Sequence, residues 1–111
     1  MNWIPLENED QIDEIILKSQ NKPQVIFKHS TRCSVSSMAK NRLDKNEQPE
    51  GIEFYFLDLI KYRKISNKIA DDFKITHQSP QILVISQGKC VYDDSHLGIT
   101  LEDVKSSVLV N

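Results

Sequence analysis

The chain has 111 residues, 14 Lys and Arg against 16 Asp and Glu, and a net charge of −2 with a pI near 5.9. This length fits one domain, here residues 1–111, with enough core to fold without metal or disulfide staples. The near-neutral balance leaves no broad basic surface to hold a nucleic-acid backbone, and no apolar run approaches the 18 or so residues that span a bilayer.

The N-terminal run Met1-Asn2-Trp3-Ile4-Pro5-Leu6-Glu7 lacks the basic and apolar regions of a secretory signal, so a cytoplasmic setting is the default expectation. Trp3 is expected as a packing anchor against a sheet. Ile12, Ile15, Ile16 and Ser19 recur at helical spacing behind a first turn rich in Glu and Asp, which predicts a helix closed by Asn21-Lys22-Pro23. Gln24-Val25-Ile26-Phe27-Lys28 reads as a short buried strand. The polar run His29-Ser30-Thr31-Arg32 leads to Cys33, where a second helix begins. Its apolar face is Val35, Met38, Ala39 and Leu43, and it runs out by Asn46.

Ile52-Glu53-Phe54-Tyr55-Phe56-Leu57 is the next strand, and Tyr62, Ile65, Ile69 and Phe73 mark a third helix by their three- and four-residue steps. Ser79-Pro80 introduces a strand over Gln81-Ile82-Leu83-Val84-Ile85-Ser86. That strand turns at Gln87-Gly88 into Lys89-Cys90-Val91-Tyr92-Asp93, a hairpin signal. A last helix carries Leu101, Val104 and Val108, capped by Thr100 with Asp103 three residues on. Strands that alternate with helices and then close in a hairpin imply an α/β domain. Its expected form is a central mixed sheet of four to five strands with helices on both faces, the layout of a thioredoxin-like fold, although the order alone also fits other α/β domains.

Two cysteines, Cys33 and Cys90, lie far apart and form no C-x-x-C pair. In a reducing compartment a structural disulfide between them is not expected. Cys33 stands where a strand gives way to a helix, and the unpaired N–H groups of a helix start favour a thiolate over a thiol. Its neighbours Ser30, Thr31, Arg32 and Ser34 suggest an exposed loop, and Arg32 adds positive charge. Ser36 follows one helical turn after Cys33, from where its hydroxyl can donate to the thiolate. A serine cannot resolve a mixed disulfide, so the pattern C-x-x-S implies a monothiol cycle. If the Ser79-Pro80 peptide is cis, the Ser79 backbone can pair with an extended thiol substrate beside Cys33. Cys90 reads as a packed thiol. His29 either raises the thiolate fraction of Cys33 or is solvated in a loop. His29, His77 and His96 are scattered and show no close ligand spacing, so no metal site is expected.

The run Phe27-Lys28-His29-Ser30-Thr31-Arg32-Cys33-Ser34-Val35-Ser36-Ser37-Met38-Ala39 resembles the active-site segment of the YtxJ-like family, the monothiol bacilliredoxins. The likeness continues through Leu57-Asp58-Leu59-Ile60, Arg63, Ile65-Ser66-Asn67, Ile69-Ala70 and His77-Gln78-Ser79-Pro80-Gln81. It closes on Gly88-Lys89, Ser95-His96 and Ile99-Thr100. It implies a thioredoxin-like fold, a cytosolic setting and removal of bacillithiol, or another low-molecular-weight thiol, from mixed disulfides on proteins. The thiol is then a co-substrate, S-thiolated proteins are the partners, and no tightly bound cofactor, nucleic acid or membrane is involved. Cys33 becomes the attacking cysteine and Pro80 the cis proline facing it. Thr31, Arg32, Ser36, Ser79 and Pro80 form the thiolate-stabilising or substrate-binding set. Ser34 departs from the family, whose members often have proline there. Two other readings use the same cysteine: a redox sensor or adaptor without turnover, and an iron–sulfur site completed by an external thiol.

Overall fold

The computed structural model describes residues 1–109. In chain order the elements are β1 (Trp3–Pro5), α1 (Asp10–Lys18), β2 (Gln24–His29), α2 (Ser34–Asp44), β3 (Glu53–Asp58), α3 (Arg63–Phe73), β4 (Gln81–Ser86), β5 (Lys89–Ser95), a 3-10 turn (His96–Gly98) and α4 (Leu101–Leu109). One five-stranded sheet has the order β1-β3-β2-β4-β5. β3 runs parallel to β1 and β2, while β4 is antiparallel to both β2 and β5. The mixed α/β sheet expected from the sequence is present.

The two central strands, β2 and β4, are buried at every residue. Covered on both faces, they read as nearly continuous apolar runs rather than alternating ones. The alternation of strand side chains sorts β2 between two cores. Ile26 joins Ile12 and Ile15 of α1 with Ile65, Ile69 and Phe73 of α3 on one face. Val25 and Phe27 join Ala39 and Leu43 of α2 with Leu101 and Val104 of α4 on the other. Burying each such side chain contributes about 1.5–3 kcal/mol, so most of the stabilisation comes from these two layers.

The structure also differs from the sequence reading at two edges. Trp3 does not merely lean on a sheet; it belongs to β1, paired with Phe54, and its ring centroid lies 5.6 Å from that of Phe27 and 6.0 Å from that of Phe54. A three-residue strand ending in proline carries little local signal, and only its pairing with β3 makes it one. β5 extends past Asp93 to Ser95 because Asp93 and Asp94 pair with Leu83 and Ile82. The β4–β5 turn matches expectation: Gln87 and Gly88 both take positive φ, 54° and 76°, as a two-residue turn of this hand requires. At the start of α4, Thr100 Oγ1 accepts the Asp103 N–H at 3.2 Å, the expected cap.

Candidate active site

The site forms where β2 ends and α2 begins. Ser30 closes the strand with a tight turn in which the Cys33 N–H donates to the Ser30 carbonyl at 3.2 Å and the Arg32 N–H donates to Ser30 Oγ at 3.3 Å. Cys33 is then the N-cap of α2, with extended φ and ψ of −116° and 119°, and its carbonyl accepts the Ser37 N–H at 3.1 Å. The N–H groups of the first turn have no intrahelical acceptor and the Cys33 side chain makes no cap hydrogen bond to them, so the half-buried cysteine stands at the positive end of the helix. No acidic residue stands in that turn to oppose a negative sulfur. Thr31, Arg32 and Ser34 are exposed around it. Arg32 makes no ion pair among the described residues.

Ser36 acts differently from the expectation. It is fully buried, and its Oγ lies 2.6 Å from His29 Nδ1 while accepting the Ser30 N–H at 3.0 Å. The Oγ–Nδ1 contact joins the two side chains, its direction set by the tautomer of His29. The hydroxyl expected to reach the thiolate is instead a pin between α2 and the end of β2. The reason is geometric: a helical side chain leans back over the preceding turn, and here that direction runs onto the sheet. His29 is the residue whose role the sequence left unresolved. It is a buried strand residue, 5.3 Å from the Phe56 ring, and burial first, then the Lys40 ammonium, pushes its pKa down, with Asp58 opposing.

The Ser79–Pro80 peptide is cis. Antiparallel pairing sets Lys28 of β2 opposite Gln81 of β4, so the residues just beyond that pair, His29 with Ser30 and Pro80 with Ser79, share one end of the sheet. The Cys33 turn and Ser79–Pro80 therefore emerge at the same end of the sheet. Pro80 is buried, its carbonyl accepts the His96 N–H at 3.1 Å, and Ser79 is half-buried. On the opposite face from Ser36, Lys28 is completely buried and donates from Nζ to the Ser66 carbonyl at 3.1 Å and to His77 Nδ1 at 3.3 Å. Sequence inspection did not single out this cluster, since a lysine at a strand end ordinarily points to water.

Cys90 is remote from all of this. Its strand neighbour Ile85 pairs with Gln24, four strand residues from the Lys28–Gln81 pair, a separation of about 13 Å along the sheet. Its Sγ donates to the Tyr92 carbonyl at 3.3 Å, and burial, helped by the Asp93 charge, pushes the thiol up to about 11. Both cysteines are free thiols. Among the described residues no three His, Cys, Asp or Glu side chains gather as metal ligands, and no helix is long and apolar enough to cross a membrane.

A single cysteine capping a helix at the same sheet end as a cis proline, with serine three residues on, matches a known pattern. The model of the monothiol bacilliredoxin family, BrxC, matches residues 4–104. The chain belongs to that family. A solved protein assigned as an oxidoreductase with a thioredoxin fold is 27% identical, with a TM-score of 0.83 over 95% of this chain and 92% of its own. Thioredoxin of Fasciola hepatica superposes with a TM-score of 0.74 at 14% identity over 96% of this chain and 98% of its own. Malassezia sympodialis thioredoxin does so with 0.72 at 16%, over 98% and 90%. The last two show the fold. A bacilliredoxin family member on a thioredoxin-like oxidoreductase fold is thus established by sequence and shape together.

Proposed function

We propose that this protein reduces S-thiolated proteins by a monothiol cycle through Cys33. The Cys33 thiolate attacks the small-thiol sulfur of a protein mixed disulfide. The new Cys33 disulfide forms as the old one breaks, and the protein leaves as its thiolate. A second low-molecular-weight thiolate then attacks the small-thiol sulfur of the adduct, releasing a symmetric small disulfide and restoring Cys33. Bacillithiol is the small thiol that family membership favours. The cytoplasm, where free thiols persist, is the compartment such a cycle needs.

The observation that carries this reading is the helix-capping position of Cys33 with a buried serine, and no second thiol, in the first turn of α2. A cysteine with no resolving partner at that end of the sheet passes its adduct on. Thr31 and Arg32 contact the small thiol, and the Ser79 backbone pairs with the protein substrate. The test is turnover: with S-bacillithiolated protein in excess and free bacillithiol supplied, many equivalents of reduced protein form per Cys33. Release of a single equivalent, with the adduct then persisting, would exclude the cycle and leave a redox sensor.

A further inference from the structure

Lys28 has no part in the thiol chemistry, yet it occupies a core position. It is fully buried on the face of Ile26, where an apolar side chain would cost nothing to desolvate. No carboxylate pairs with it among the described residues. Burial alone pushes it down to about 8. What the amine does is reach across to the segment that leads into Ser79. Its Nζ bonds the Ser66 carbonyl of α3 and His77 Nδ1. Its cross-strand partner Gln81 holds the same segment a second time, Nε2 donating to the Thr76 carbonyl at 3.0 Å. Two facing strand residues thus tie down residues 76 and 77, immediately before Ser79.

From this geometry, and resting on the proposed function, we infer that His77 is a positioning residue: through its bond to Lys28 it holds the connection from Thr76 to Pro80 in register at the Cys33 end of the sheet for the protein substrate, and its protonation lets that connection go. Nδ1 accepts only while it carries no proton, so the bond requires neutral His77. The groups facing His77 are Lys28 from β2 and Arg63 and Ser66 from α3. Burial first, then the charges of Lys28 and Arg63, push the His77 pKa down, and no carboxylate opposes them. A proton on Nδ1 would set two cations 3.3 Å apart in place of a hydrogen bond. Substrate docking therefore weakens on the acid side of neutrality.

Asparagine supplies an acceptor at the place of Nδ1 but does not titrate, which separates the bond from the bulk of the ring. Loss of one hydrogen bond predicts that His77→Ala raises KM for an S-bacillithiolated protein about fivefold at pH 7.5, with kcat held within about twofold. His77→Asn restores KM and removes its rise at acid pH. The same variants are read without turnover by ¹⁵N relaxation at the Ser79 amide, which becomes more mobile in His77→Ala and regains order in His77→Asn. Unchanged Ser79 mobility in His77→Ala, or His77→Asn as loose as His77→Ala, would overturn the inference. A wild-type protein that forms no Cys33 adduct would overturn the proposed function alone, since the relaxation readout still decides the role of His77.

Discussion

The two cysteines are the same thiol in two settings. Cys33 caps α2, half-buried, among exposed Thr31, Arg32 and Ser34 and first-turn N–H groups that lack acceptors. Cys90 sits within β5 against the α1–α3 core, its proton given to the Tyr92 carbonyl and its ionisation suppressed by burial and by Asp93. The two lie toward opposite ends of the sheet. The two positions differ in their surroundings: a helix start presents unpaired donors, and a strand packed on apolar neighbours does not.

The largest contrast is in alkylation. With Cys90 held near 11, about 0.1% of it is thiolate at pH 8, so iodoacetamide should label Cys33 first by a wide margin, as peptide mass mapping over time would show. Equal labelling would break the comparison. The next effect concerns the buried amine on the other face of β2. The folded pKa of Lys28, about 8, lies below the 10.5 of the unfolded chain, so between those values the unfolded state holds more protons and stability rises with pH. Relative to Lys28→Met, the wild type should gain up to about 3 kcal/mol over that window in urea unfolding, the difference cancelling titrations common to both. A constant difference across the window would mean that the amine is already solvated.

Ser36→Ala removes the pin that serves both the Ser30 N–H and His29 Nδ1. It should cost about 1–3 kcal/mol in unfolding free energy while leaving the alkylation rate of Cys33 within about twofold. A large fall in that rate with stability intact would return Ser36 to a direct role at the sulfur. The smallest effect is Cys90→Ser, which should leave protein reduction within about twofold of wild type, because the thiol lies about 13 Å along the sheet from the Lys28–Gln81 pair, beyond which the site begins.

Most of the fold was legible because it is written in local patterns. The apolar runs of β2 and β4, the helical spacing of Ile65, Ile69 and Phe73 and the Gln87–Gly88 turn each declare an element without reference to the rest. β1 was not legible, since Trp3–Pro5 is a strand only by virtue of Phe54 and its neighbours on β3. At the site, Cys33 and Ser79–Pro80 stood out through their residue types and their places before a helix and a strand. Ser36 was found for the wrong contact: sequence spacing put it one turn from Cys33, whereas the direction of its side chain, set by helix packing on the sheet, put it on His29. The tie between Lys28 and His77 joins residues 49 positions apart, and no local pattern announces it.

The most direct measurement is the intact mass of the protein, unreduced, after one equivalent of S-bacillithiolated substrate. The expected result is a single bacillithiol adduct, mapped to Cys33 and absent from Cys33→Ala. An adduct on Cys90, or an internal disulfide between Cys33 and Cys90, would contradict a monothiol cycle built on the helix-capping cysteine.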